Sequence, residues 1–222
     1  MASIDATALL RPDLLEGLAL LVAGPPPSAP DTLSVAVAQA FSGLGASVST
    51  CVPHAEDEPQ VDRCVADALT ESGALHILAV DGAGLFAHAL GAGAGSGDSG
   101  EGAPTALRAC MDATWNITRA VVNLAFLAPQ PDPARRVARI VYLAPSLGAG
   151  EHAQAVRAGL ENLARTLSVE WARHGIAVVA IIPGARTSAE EVAALAAYLA
   201  SPAGAYFTGC LLDLGGPAGL PR

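Results

Sequence analysis

The stretch "AGLENLARTLSVEWARHGIAVVAIIPG", residues 158–184, places a helical pattern directly before a strand pattern. From Leu160 to Trp171, apolar side chains recur at the spacing of one helix face. After Gly175, the unbroken apolar run of residues 176–182 predicts a strand that is buried on both faces. A helix followed at once by a fully buried strand is typical of a parallel sheet that is covered by helices.

The rest of the chain repeats this alternation of strands and helices. The predicted strands are 18–22, 47–52, 75–80, 139–143, 176–182 and 210–214. The predicted helices are 32–43, 60–72, 104–127, 151–174 and 188–200. The pattern predicts an α/β protein with a doubly wound parallel sheet in three layers, formed by residues 1–222 as one domain.

Composition excludes several functions. The 222 residues carry a net charge of −9 without a basic cluster, which argues against nucleic acid and membrane surfaces as partners. All twelve basic residues are Arg, so no mechanism that needs a lysine is possible. We expect a cytoplasmic protein without a signal peptide or a membrane span, whose four scattered cysteines are reduced.

Two further stretches have a clear local meaning. The Gly- and Ser-rich residues 91–102 predict a mobile loop. The segment 188–191, Ser-Ala-Glu-Glu, is a capping box and predicts the start of the last helix.

Several motifs together resemble one known family. The helix and strand of residues 158–184 end in Pro183-Gly184, Ala83-Gly84 follows the third strand, and "YFTGCLLDLGG" stands at residues 206–216. In this order and spacing they resemble the short-chain dehydrogenase/reductase family over almost the whole chain. The resemblance implies a Rossmann-like fold, NAD(P)-dependent carbonyl or alcohol chemistry, and a dimer or tetramer.

The catalytic positions implied by the resemblance are all substituted. The family uses a Tyr followed four residues later by a Lys, and these positions fall on Ala153 and Arg157. The family's catalytic Ser falls on Pro145, and its catalytic Asn falls on Asp112. Alanine cannot transfer a proton, and Arg stays charged at any working pH. We therefore expect the usual catalytic site to be degenerate.

Two neighbouring residues offer an alternative chemistry. Ser146 is one residue beyond the lost Ser, and His152 precedes the lost Tyr. A histidine can act as an acid or base near neutral pH, although at the start of a helix it is more often an ordinary surface residue. With Arg157 as a partner for the cofactor, these residues could serve an NAD(P)-dependent oxidoreductase with an atypical site.

The position of the family's phosphate loop holds "VAGPPPSAP", residues 22–30. Only Gly24 matches the first glycine of the family's loop, and the prolines after it have no N–H to offer a pyrophosphate. Asp81 replaces an Asn of the turn after the third strand, and its carboxylate does not favour an anionic cofactor. We expect no cofactor, with Gly24 and Asp81 as the positions to examine for NAD(P) under the alternative.

Two segments are shorter than the resemblance implies. Only one helix fits between the second and third strands, where the family has a helix, a strand and a second helix near the adenine. After Pro183-Gly184 the chain enters its last helix at Ser188, which leaves no room for a lid over a substrate.

Three functions remain open at this point. The first is a non-catalytic structural or regulatory subunit that pairs with itself or with a catalytic relative through helices 104–127 and 151–174. The second is the atypical NAD(P)-dependent oxidoreductase. The third is a protein that binds a small ligand in the vacant cleft. None of the three involves a metal site.

Overall fold

A computed structural model describes residues 6–27, 29, 32–93, 102–129 and 137–215. Within them, six parallel strands form one sheet in the order β2-β1-β3-β4-β5-β6. The strands are β1 (Ala19–Ala23), β2 (Ser47–Cys51), β3 (Ile77–Asp81), β4 (Ala138–Leu143), β5 (Ile176–Ile182) and β6 (Cys210–Asp213). The helices are α1 (Leu33–Gly43), α2 (Glu58–Ser72), α3 (Gly82–Gly93), α4 (Gly102–Val121), α5 (Ala153–Glu170) and α6 (Ala189–Ala200).

The sheet reverses its winding direction between β1 and β3. From β1 the chain crosses by α1 to β2 on one side, and it then returns by α2 to β3 on the other side of β1. The chain segments that follow β1 and β3 diverge at the carboxyl ends of these strands, at Ala23 and Asp81. In open parallel sheets, ligands bind in the crevice at this topological switch point.

Helices cover both faces of the sheet, as the continuous apolar strands require. Side chains of α1 and α6 pack on one face, around Phe41 and Val192. Those of α2, α4 and α5 pack on the other, around Val65, Ile117 and Leu160. β1, β3 and β5 are buried along their entire length, which explains their unbroken apolar sequences. The predicted fold class, a Rossmann-like α/β protein with three layers, is confirmed.

The sequence missed one helix, α3. Four glycines among residues 82–93 lower the helix propensity, and the sequence therefore predicts no helix there. Buried Leu85 and Phe86 stabilise α3 because they pack into the same core as α4. Gly91 belongs to this helix and Gly102 begins α4, so both lie outside a loop; residues 94–101 of the predicted mobile loop lie outside the described residues.

The other element predictions agree with the structure to within a few residues. One helix, α2, connects β2 to β3, as the short spacing predicts. The predicted helix 104–127 is divided into α4 and a π-helical segment, Val122–Phe126. The capping box is present: the Ser188 hydroxyl accepts from Glu191 N–H, and the Glu191 carboxylate accepts from Ser188 N–H.

The cysteines differ in part from the expectation. The structure joins Cys51, at the end of β2, to Cys64 on α2 in a disulfide, with their Cα atoms 6.2 Å apart. The expectation of four reduced thiols is therefore wrong for this pair, which the sequence could not reveal because thirteen positions separate the two residues. Cys110 and Cys210 are free thiols. No helix in the described part of the chain has the length and apolar character needed to cross a membrane.

Candidate functional site

A cavity of about 700 Å³ opens at the carboxyl ends of the strands, where the switch point lies. The start of α1 forms one wall with Leu33, and the first turn of α3 forms another with Gly84. The segments after β4 and β5 complete it with Ser146 and Gly184. Crevices at this place hold the ligands of doubly wound α/β proteins, so this cavity is the candidate site.

The carboxylate of Asp81, the last residue of β3, is fully buried beside the start of α1. Its Oδ2 accepts the backbone N–H of Ser34 at 2.8 Å, and its Oδ1 accepts that of Gly84 at 2.8 Å. Thr32, the N-cap residue of α1, does not cap the helix, because its side chain accepts no backbone N–H of the first turn. Because the first N–H groups of a helix have no partners inside it, Asp81 caps α1 from a neighbouring strand.

Asp81 is held at an electrostatic cost. Burial raises the pKa of Asp81, although the N–H groups of Gly84 and Ser34 act in the opposite direction. No arginine lies among the described residues that line the cavity. A phosphate at the start of α1 would find the Ser34 N–H already bonded to Asp81, and it would meet no arginine among the described lining residues.

The proline loop after β1 closes around the same point. Pro25 is buried, and its Cδ would lie 2.9 Å from a Cβ atom placed on Gly84. Gly24 donates its N–H to the Cys51 carbonyl oxygen, and Ala29 donates its N–H to the Pro26 carbonyl oxygen. Prolines supply no N–H. The described residues of this loop therefore offer no free backbone donor to a ligand.

Ala153 and Arg157, the predicted positions of the family's Tyr and Lys, are not among the described residues that line the cavity. Ala153 is fully buried in the core, and Arg157 is almost so. The Arg157 guanidinium donates to the Pro145 carbonyl oxygen at 3.4 Å and lies 3.8 Å from the Asp213 carboxylate. Arg157 therefore links α5 to the ends of β4 and β6. Pro145 itself lines the cavity.

The two alternative candidates are separated by the structure. Ser146 lines the cavity, whereas His152 is not among its described lining residues. His152 lies at the start of α5 with φ 64°, an uncommon conformation for a residue other than glycine, and its Nε2 is 3.8 Å from the Glu151 carboxylate.

Asp112 is not brought to the site. Its side chain is 53% exposed on α4 and lies 3.7 Å from Arg108. The α4 residue that reaches the end of β3 is Cys110, whose thiol donates to the Gly82 carbonyl oxygen at 3.4 Å. Burial raises the pKa of Cys110 to about 12, so the thiol is unreactive as a nucleophile. In the sequence, only the position of Cys110 on the apolar face of the predicted helix indicated that it lies near the end of β3.

Sheet order, switch point and crevice together define a doubly wound α/β protein of the nucleotide-binding type. The model of the short chain dehydrogenase family matches residues 29–198, which is more than half of the chain. The chain therefore belongs to the short-chain dehydrogenase family. No curated protein sequence matches it.

Solved structures of similar fold agree with this assignment. A citronellol catabolism dehydrogenase from Pseudomonas aeruginosa PAO1 is 23% identical, with a TM-score of 0.70 and coverage of 94% of this chain and 98% of that one. A short chain dehydrogenase from Mycobacterium smegmatis is 20% identical, with a TM-score of 0.70 and coverage of 90% and 93%. The 3-ketoacyl-(acyl-carrier-protein) reductase from Brucella melitensis, complexed with NADH, is 20% identical, with a TM-score of 0.68 and coverage of 91% and 98%.

Family membership makes NAD(P) the cofactor to consider, which agrees with the alternative above rather than with the expectation of no cofactor. The residues at the start of α1 do not fit its pyrophosphate. The N–H of Ser34 is already bonded to Asp81. Pro25 also packs against Gly84, at the place where a pyrophosphate would need space.

Proposed function

We propose that this chain is a non-catalytic member of the short-chain dehydrogenase family and acts as a structural or regulatory subunit of an oligomer. The observation that carries the proposal is the Asp81 carboxyl group at the start of α1, which takes the Ser34 N–H that a pyrophosphate at this helix start would need. The placement of Ala153 and Arg157 supports it, because neither lines the cavity where a proton would be transferred.

We expect other contacts to stabilise the fold in place of the family's catalytic groups. Arg157 joins α5 to the Pro145 carbonyl, and Cys110 joins α4 to the Gly82 carbonyl. Both contacts tie a helix to the carboxyl end of a strand. The Arg157 position, which serves chemistry in the family, thus serves packing in this chain, as a subunit without an active site of its own requires.

The first test is a titration of the purified chain with NADH and NADPH, followed by cofactor fluorescence and calorimetry. We expect no saturable binding below about 1 mM, the upper end of the range in which enzymes usually bind their substrates. The Brucella melitensis reductase, which forms a complex with NADH, is the positive control.

A second candidate is the oxidoreductase with an atypical site, which family membership favours. It requires micromolar NAD(P)H binding that weakens in Arg157→Ala, and carbonyl reduction that is lost in His152→Ala. Saturable binding in the first test, together with both of these losses, would establish this candidate and exclude the non-catalytic subunit.

The subunit proposal also requires an assembly, and we place its interface on α4 and α5. The two helices approach closely, since a Cβ atom on Gly159 would lie 2.9 Å from the Met111 sulfur. Their outer surfaces leave Trp115 43% exposed and Val169 76% exposed. Exposed apolar groups on paired helices favour packing against a second subunit of the same fold.

Substitution of Val169 by Asp tests this interface. We expect Val169→Asp to weaken association by about tenfold or more, since a charge buried without a partner opposes assembly. Val35→Asp is the matched control, because Val35 is an exposed valine of α1, which packs on the opposite face of the sheet. Light scattering after size-exclusion chromatography measures both variants. A monomeric wild type, alone and with a co-expressed catalytic relative, would exclude an assembling subunit.

A further inference from the structure

Strand β2 forms an open edge of the sheet in the described part of the chain. Its one strand neighbour there is β1, because the single helix α2 carries the chain from β2 directly back to β3. Natural edge strands often carry charged side chains or proline, which prevent a further strand from pairing with them. The sequence of β2, SVSTC, contains neither, so this edge is not protected against a further strand.

Two residues of β2 direct their backbone groups away from the sheet. Ser47 donates its N–H to the Leu18 carbonyl oxygen before β1, and the Cys51 carbonyl oxygen accepts an N–H from the segment after β1. In a parallel pair, every second residue of a strand bonds to the same neighbour. The N–H and C=O groups of Val48 and Thr50 therefore point outward, where a partner strand can reach them.

A groove of about 600 Å³ lies beside this edge, between β2 and α2. The α2 residues that line it recur every three or four positions and so lie on one face of the helix. They are Gln60, Arg63, Cys64, Asp67, Ala68 and Glu71. The groove lining contains no described residue of α4 or α5, so this surface is separate from the interface placed on those helices.

The charges on this face of α2 complement a reversed copy of themselves. Arg63 lies in the first half of α2, and Asp67 and Glu71 lie in the second half. All three residues are exposed, and none makes an ion pair with another described residue. By contrast, two other acids of α2 pair with Arg119 of α4. A second α2 that ran antiparallel beside the first would place its acidic half opposite Arg63.

We propose that β2 pairs antiparallel with β2 of a second copy of this chain, about a twofold axis at Ser49. In this register, Val48 faces Thr50 of the partner subunit and exchanges both backbone hydrogen bonds with it. By symmetry, every outward N–H and C=O group of β2 finds a partner. Ser49 meets Ser49 of the partner subunit as a pair without backbone hydrogen bonds, where side chains come closest and small ones fit.

The same twofold axis brings the charged faces together. Antiparallel pairing within one sheet requires an axis perpendicular to the sheet, so both α2 helices lie on the same side of it and run antiparallel. Arg63 then faces the acidic half of the other helix. The inference goes beyond the proposed function, because this contact requires neither the α4 and α5 interface nor a vacant cofactor site.

The first test removes one outward N–H. In the Val169→Asp background, association through α4 and α5 is weakened, and we expect sedimentation velocity at about 100 μM to show a dimer that remains. Adding Thr50→Pro should weaken this dimer by about tenfold or more, since proline lacks the N–H that faces the partner while the bonds to β1 persist. Thr50→Val keeps the N–H and the branched shape, and should leave association unchanged.

Two outcomes of this test would overturn the proposal. If Val169→Asp is monomeric, the edge does not pair with a second copy and is open to a strand of another protein, while the α4 and α5 interface stands. If Thr50→Pro and Thr50→Val associate equally well, the contact lies elsewhere. Circular dichroism verifies that each variant is folded.

Reversal of the charges tests the antiparallel arrangement of the helices. Arg63→Glu should weaken the dimer by about tenfold, because both facing surfaces become acidic. Adding Asp67→Arg and Glu71→Arg should restore association to within about threefold of the parent, which no folding defect can do. Arg173→Glu makes the same change of charge at an exposed residue before β5, far across the sheet, and should have no effect. Failure of the restoration would overturn the arrangement.

A cross-link tests the register. At the twofold axis, the Cα atoms of a pair without backbone hydrogen bonds lie about 4.5 Å apart, which a disulfide can span. Ser49→Cys should therefore give a covalent dimer on a non-reducing gel after mild oxidation. Thr50→Cys should give little, because its copy lies diagonally at about 7–8 Å. The wild type controls for the native cysteines. Equal cross-linking of both variants, or none in either, would overturn the register.

Discussion

Asp81→Leu is expected to lower the free energy of unfolding by about 3 kcal/mol, because two backbone N–H groups lose a charged or strongly polar acceptor. These are the N–H groups of Ser34 and Gly84, each 2.8 Å from a carboxyl oxygen. Leucine has a similar size but accepts no hydrogen bond, so the expected loss of stability comes from the missing acceptor and not from a change in side-chain volume. Urea denaturation followed by circular dichroism measures it.

Asp81→Asn is the matched control for shape. Its amide oxygen still accepts one of the two N–H groups, so we expect its stability to remain within about 1 kcal/mol of the wild type. A loss as large as that of Asp81→Leu would show that charge, rather than hydrogen bonding, holds the start of α1. An unchanged stability in both variants would show that the cap contributes nothing.

The wild type and Asp81→Asn are also expected to differ in how their free energy of unfolding depends on pH. Because burial raises the pKa of Asp81 above its usual 3.8, the folded state holds this proton to higher pH than the unfolded state does. Between those two pKa values, the free energy of unfolding falls as the pH rises. The stability of the wild type relative to Asp81→Asn should therefore be greatest below pH 3.8 and decline through the raised pKa. A difference that increases with pH would contradict this.

Gly184→Ala is expected to destabilise the protein by about 2–3 kcal/mol through overpacking. A Cβ atom on Gly184 would lie 2.7 Å from the Gly215 Cα and 3.0 Å from the Leu214 carbonyl oxygen. These are backbone atoms, so no change of rotamer relieves the clash, and the segment after β6 has to move.

Gly148→Ala is the control for this substitution. Nothing lies within 4 Å of a Cβ atom on Gly148, and its φ lies outside the positive region that disfavours alanine. We expect its stability to differ from that of the wild type by less than about 0.5 kcal/mol. Equal losses in both variants would indicate a backbone effect of alanine rather than the close approach of Gly184 to the segment after β6.

Strands with continuous apolar sequence were the most predictable elements. The run of residues 176–182 is the buried strand β5 without a change of boundary. A strand buried on both faces favours an unbroken apolar sequence, and this pattern is visible in the sequence alone. The capping box at Ser188 is equally local, since its two hydrogen bonds join residues three positions apart.

Helix α3 could not be predicted, because its stability comes from packing rather than propensity. Its four glycines disfavour a helix, and only the contacts of Leu85 and Phe86 with the core compensate for them. The disulfide between Cys51 and Cys64 depends in the same way on the position of α2 against β2.

The sequence by itself determined the family resemblance and the order of the six strands, and it predicts that Ala153 and Arg157 stand at the positions of the family's Tyr and Lys. Only the tertiary structure decided where those residues lie. The Asp81 side chain meets the Ser34 N–H from 47 positions away, and Cys110 rather than Asp112 reaches the end of β3. Hydrogen bonds between distant segments depend on how strands and helices pack, and no local pattern of residues encodes them.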